Sequence, residues 1–181
     1  MLEKSYIALL RGVNVGGKNK VSMPVLKAAF EKVGFSEVVT YINSGNIIFT
    51  GDCGDKETLA KKCSAIIADK FGLDIAVAIV SAEELSDALQ NAPPWWDNNI
   101  MSKHNAIFVI RPATTEEIIM QIGATKPEYE QIGVWGQVIF WSAPKETFNK
   151  TRLTKVVTTS ACNNITIRNA NTTKKLLQLV K

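Results

Sequence analysis

Apolar and polar positions along the chain change period several times, and each change marks an element. Residues 5–13, with the run Tyr6-Ile7-Ala8-Leu9-Leu10, are too short for an ordinary helix and suit a strand buried on both faces. After a glycine-rich basic stretch, Leu26, Ala29, Phe30 and Val33 recur at helical spacing. Ser22 stands as cap, Pro24 falls in the first turn, Val21 and Leu26 form a staple, and Gly34 stops the helix. Residues 38–43 and 47–50 read as strands around Asn43-Ser44-Gly45-Asn46, a hairpin signal. Asp55 opens a helix that buries Leu59, Cys63, Ile66, Ile67 and Phe71 and closes at Gly72; residues 75–80 form another strand. Ser81 and Glu84 make a capping box for a helix over 83–90, after which residues 92–99, including Pro93-Pro94-Trp95-Trp96, break all periodicity.

The same order then returns. It comprises a strand over 106–110, a helix behind the Thr114/Glu117 capping box, strands near 129–134 and 138–141, a helix near 152–161, a strand over 165–168 and a helix over 172–180. Each half is βαββαβ with one trailing helix, so the expected fold class is α+β, a tandem duplication of ferredoxin-like halves. The halves are assigned to 1–92 and 104–181, with 93–103 as linker. Ala8-Leu9-Leu10-Arg11 matches Phe108-Val109-Ile110-Arg111, and Asn46-Ile47-Ile48-Phe49 matches Gln137-Val138-Ile139-Phe140. The first match is offset by 100 positions and the second by 91. The difference falls mostly in the first connection, where Arg11 to Ser22 is far longer than Arg111 to Thr114. A strand-to-helix link can be very short, so the extra residues are not needed to turn the chain.

Composition narrows the class. At 181 residues and 46% hydrophobic content the chain can bury one or two real cores. No apolar run reaches the roughly 18 residues that span a bilayer, and the first residues lack a leader pattern, so a cytoplasmic protein without a membrane partner is expected. Cys53, Cys63 and Cys162 are widely spaced and accompanied by a single histidine, His104, which argues against a disulfide framework or a zinc site. Cys63 reads as a buried thiol and His104 as a structural or surface residue. The net charge of +4 is uneven: residues 1–20 carry four bases and one acid, 145–181 carry eight and one, and the middle is acidic. Basic ends suit an anionic partner, either a phosphate-bearing ligand or nucleic acid.

The stretch from Arg11 to Lys20 concentrates the candidate chemistry. Gly12, Gly16 and Gly17 permit close backbone approach, while Arg11, Lys18 and Lys20 supply positive charge. Gly12-x-x-x-x-Gly17-Lys18 meets seven positions of the phosphate loop, but Asn19 stands where a magnesium-binding hydroxyl belongs. A looser anion-binding loop is therefore expected. In a ferredoxin-like sheet the first strand's C-terminal end and the hairpin between the second and third strands lie at the same end, so Arg11, Asn14, Gly16, Gly17, Lys18 and Lys20 should meet Tyr41, Asn43, Ser44 and Asn46. A second candidate is residues 168–175, with Arg168, Asn169 and Asn171, the last as helix cap and Lys174-Lys175 in the first turn. Trp95-Trp96 more often pack two halves together than stack on bases. No nucleophile elbow, H-E-x-x-H pair or carboxylate dyad is present, so no catalytic residue and no cofactor is assigned.

On the loop RGVNVGGKNKVSMPVLKAAFEKVGF, the hairpin TYINSGNIIF and the terminal TIRNANTTKKLLQL, the chain resembles the bacterial proteins grouped as domain of unknown function 1697. The family pattern usually has glutamine where this chain has Asn43 and tryptophan where it has Ala170. The resemblance implies a cytosolic, duplicated ferredoxin-like protein without an established activity. A nucleic-acid-binding module and a protein-interaction scaffold stand as alternatives to ligand binding.

Overall fold

The computed structural model describes residues 3–52 and 54–180, so Cys53 lies outside the described residues. The first half runs β1 (Glu3–Leu10), α1 (Met23–Lys32), β2 (Ser36–Tyr41), β3 (Asn46–Asp52), α2 (Lys56–Phe71), β4 (Val77–Ser81) and α3 (Ala82–Gln90). The second runs β5 (Ser102–Val109), α4 (Thr115–Ile122), β6 (Gln131–Trp135), β7 (Val138–Pro144), three 3-10 turns, β8 (Ile165–Asn169) and α5 (Ala170–Leu179).

Two four-stranded antiparallel sheets result, ordered β2-β3-β1-β4 and β6-β7-β5-β8. This is the ferredoxin-like order twice over. The pairing registers repeat as well: Tyr6 faces Phe49 and Ala8 faces Ile47 in one sheet, and Ala106 faces Phe140 and Phe108 faces Val138 in the other. Matching strands are thus offset by 100 and 91 positions, the two offsets of the sequence repeat. Two compact units are distinguishable, Met1–Leu85 with Lys175–Lys181, and Ser86–Lys174. Their limits fall inside α3 and α5.

In the first unit, Leu26 and Phe30 of α1 and Cys63 and Ile67 of α2 pack with Tyr6, Ala8, Leu10, Ile47 and Phe49. Phe49 is the hub of an aromatic group, with ring centres 4.4 Å from Phe35, 5.7 Å from Phe30 and 5.8 Å from Tyr6. Ile7 and Leu9 are buried as well, so β1 has no wet face, as its unbroken apolar run requires. Helix starts follow the capping chemistry. Asp55 accepts from the Thr58 amide, Ser81 and Glu84 bond each other's backbone, and Thr114 and Glu117 do the same. In the second unit Ile107, Val109, Ile118, Ile139, Trp141, Leu153 and Val156 form the core, and Trp96 sits edge-on to Phe140 at 5.0 Å.

Three sequence expectations are corrected. No α-helix spans 152–161; the chain there makes 3-10 turns over Phe148–Lys150, Leu153–Thr158 and Ser160–Asn164. The hydroxyls of Thr151, Thr154, Thr158 and Thr159 donate to carbonyls three residues back, at 2.7–3.0 Å, which favours the tighter turn over the α-helical ladder. Buried Glu130 reinforces that path by accepting from the amides of Lys126, Arg152 and Leu153 at 3.0, 2.8 and 3.2 Å. The cap of α5 is Asn169 rather than Asn171, since the Asn169 carboxamide oxygen accepts from the Thr172 amide at 2.8 Å. That shift moves Lys174 and Lys175 beyond the first turn, where Lys174 pairs with Asp97. Val33, expected inside, is 41% exposed at the end of α1.

Candidate functional site

The extra residues between β1 and α1 fold on themselves. Val15 and Lys18 bridge across Gly16 and Gly17, whose φ values of +57° and +75° give the doubly left-handed tip of a two-residue hairpin. The Lys18 amide donates to the Val15 carbonyl at 3.1 Å, and the Asn14 amide donates to Asn19 at 3.1 Å. The Asn14 side chain closes the neck. It accepts from the Val21 amide at 2.8 Å and donates to the Val21 carbonyl at 2.9 Å and the Asn43 carbonyl at 2.8 Å. Loop and central hairpin are thereby joined, as the topology required.

Gly45 completes the junction. Its carbonyl accepts from the Leu10 amide at 2.8 Å, and a Cβ on it would stand 2.5 Å from Val13 and 2.7 Å from Leu10. Asn46 is fully buried and donates to the Tyr41 carbonyl and the Ser44 hydroxyl, so Ser44 and Asn46 shape the turn from within. Asn43 is exposed and joins Asn14 through its carbonyl, a bond that any residue at that position supplies.

Beside this junction lies an open depression of about 450 Å³, lined by Asn14, Gly17, Lys20, Asn43 and the start of α1. Gly16 and Lys18 lie exposed at the loop tip, and Arg11, half-buried, donates its amide to Ala76 at 3.0 Å. None of Arg11, Gly16, Lys18, Tyr41, Ser44 and Asn46 lines the depression. The start of α1 is chemically open. Ser22 makes no side-chain capping bond, and the first turn holds no acid. A true phosphate loop runs straight into its helix, whereas α1 begins at Met23, five residues beyond Lys18.

The terminal motif contributes to a different place, in the second unit. Asn169 and Asn171 line a cleft of about 610 Å³, together with Asn98, His104, Asn105 and Lys145. Arg168 lies buried in β8, donating to the Thr166 hydroxyl at 2.8 Å and the Ile167 carbonyl at 2.9 Å. Burial pulls its guanidinium down to about 10, which leaves it cationic at neutral pH. His104 is held at both ring nitrogens, 2.8 Å from the Asn99 carbonyl and 2.5 Å from the Ser142 hydroxyl. Nothing in the sequence marks His104, Asn105 and Lys145 as cleft residues, because the cleft joins 97–105 to Lys145 and 169–171, which lie far apart along the chain. Trp96 is only 8% exposed and donates to the Asn105 carbonyl at 2.8 Å, so its ring is spent on packing, whereas Trp95 is half-exposed.

Among the described residues no group of three or more His, Cys, Asp or Glu side chains is placed to hold a metal, and no helix is long and apolar enough to cross a membrane. Fold and loop together define a class: a duplicated ferredoxin-like α+β protein whose first half carries a hairpin-shaped glycine-basic extension. The chain belongs to the family of proteins of unknown function DUF1697, whose model matches residues 4–140. That match ends before the terminal motif. A solved structure, a conserved bacterial protein of Streptococcus pneumoniae, is 31% identical, with a TM-score of 0.88 over 99% of this chain and 100% of that one. No curated protein matches the chain.

Proposed function

We propose that the protein binds a phosphate-bearing small molecule, such as a nucleotide, in the depression between the glycine loop and the start of α1. The observation that carries this reading is the bare N-terminus of α1 facing a wall made by Gly17, Lys20 and Asn14. Amides at a helix start favour an anion; Pro24 brings no N–H, and for the Met23 and Val25 amides neither a capping side chain nor an acid competes. Lys20 adds a full charge and Lys18 stands nearby at the tip. The Asn14 bonds hold loop and hairpin in place before any ligand arrives, which lowers the ordering cost of binding.

The test is a thermal-shift and calorimetric titration with AMP and inorganic phosphate. A saturable stabilisation is expected from at least one of them, weakening as salt rises. Lys20→Ala should weaken it about tenfold, the effect of losing about 1.4 kcal/mol. No stabilisation by either, or binding indifferent to Lys20→Ala, would remove the reading.

A further inference from the structure

We infer that the cleft of the second unit is a separate binding site, and that its ligand is a phosphorylated sugar. Three segments distant in sequence build it: the turn after Trp96 running into the start of β5, the turn after β7, and the β8–α5 junction. Its volume of about 610 Å³ lies in the range of small-molecule sites.

The polar capacity left over in the cleft identifies the ligand. The carboxamides of Asn105 and Asn171 make no hydrogen bond within the protein among the described residues, although Asn105 is only half-exposed. Asn169 spends its oxygen on the Thr172 amide and keeps its NH2 group. Asn98 donates to the Pro94 carbonyl at 3.3 Å and keeps its oxygen. Donors and acceptors are therefore present together, and a hydroxyl, which both donates and accepts, is the group that matches such a set. No Phe, Tyr or Trp lines the cleft, so a nucleobase would lack a large ring to stack on, and the one imidazole there, His104, is tied at both ring nitrogens.

The charges point the same way. Asp97 is neutralised by Lys174, and the Lys103 ammonium lies 4.1 Å from the centre of the Phe148 ring. Lys145 is exposed and has neither an ion-pair nor a ring partner among the described residues, which leaves it for an anionic group. His104 is a fixed wall: the Asn99 carbonyl can only accept, so Nε2 donates to it, and Nδ1 pairs with the Ser142 hydroxyl. That pairing also fixes the turn that carries Asn98 and Asn99.

Backbone amide NMR shifts on titration with glucose 6-phosphate, glucose and AMP test the assignment. Glucose 6-phosphate should saturate and shift residues 98–105 and 169–171, with glucose and AMP about tenfold weaker there. Lys145→Ala and Asn171→Ala, both at exposed positions, should each weaken glucose 6-phosphate about tenfold, whereas Lys20→Ala should leave it unchanged. Absence of saturation, tighter binding of AMP in this cleft, or glucose 6-phosphate shifts confined to 11–24 and lost in Lys20→Ala would overturn the inference. Failure of the phosphate site at the glycine loop would leave these outcomes untouched, since the two readings share no residue.

Discussion

Gly45 and Gly16 both sit at positive φ, +76° and +57°, yet their substitutions should differ sharply. At Gly16 an added methyl meets nothing within 4 Å, so Gly16→Ala carries only the left-handed strain of about 1–2 kcal/mol. At Gly45 the same methyl enters the Leu10 and Val13 side chains, which adds an overpacking cost, and Gly45→Ala should lose about 3–5 kcal/mol in urea denaturation. Equal losses would mean that the hairpin does not press on the end of β1. Cys63 is a second residue-level case. Burial pushes its thiol up from 9.0 to about 12, so the native state keeps the proton where the unfolded chain has begun to lose it. Stability from this group is complete below pH 9 and declines as pH rises further. In a Cys53→Ser/Cys162→Ser background, Cys63 should resist a disulfide reagent at pH 8 until the protein is denatured, and the alkaline decline should be shallower in Cys63→Ala.

At the scale of elements, the glycine loop is an addition to a fold that does not need it. The matching connection in the second half is a few residues long, and the loop's neck is closed by Asn14 on Val21. Replacing residues 15–18 by two glycines should therefore leave the circular dichroism spectrum and cooperative unfolding intact while weakening phosphate binding. Loss of the folded state would instead make the extension part of the core. The 3-10 segment of the second half behaves in the opposite way, because its threonine turns are tied to a distant carboxylate. Glu130→Gln keeps the shape but turns an NH2 group toward backbone amides that need an acceptor, and should cost about 1–3 kcal/mol, read as a lower melting temperature. The capping boxes at Ser81/Glu84 and Thr114/Glu117 were legible in sequence because both partners lie within one turn. Glu130 was not, because Arg152 and Leu153 stand more than twenty residues away.

For the whole molecule, duplication is the organising fact, and the halves differ at the two candidate sites. The first half has a longer loop at the end of β1 and an α1 without a side-chain cap; the second has 3-10 turns where the first has α2, and an asparagine-lined cleft. Period, caps and glycine stops by themselves determined the strand order and the helices outside 152–161, and two offsets in a weak internal repeat showed that the halves match each other, because these depend on neighbours in sequence and on side-chain alternation. The meeting of Asn14 with Asn43 followed from topology alone. Only the tertiary structure decided which polar residues face open space and which are spent inside. Asn46 and Arg168 read as candidates beside Asn43 and Asn171, yet burial and hydrogen bonding turned the first pair into structure. A carboxamide or a lysine has the same formula in either role, and the difference lies in whether distant backbone has already taken its hydrogen bonds.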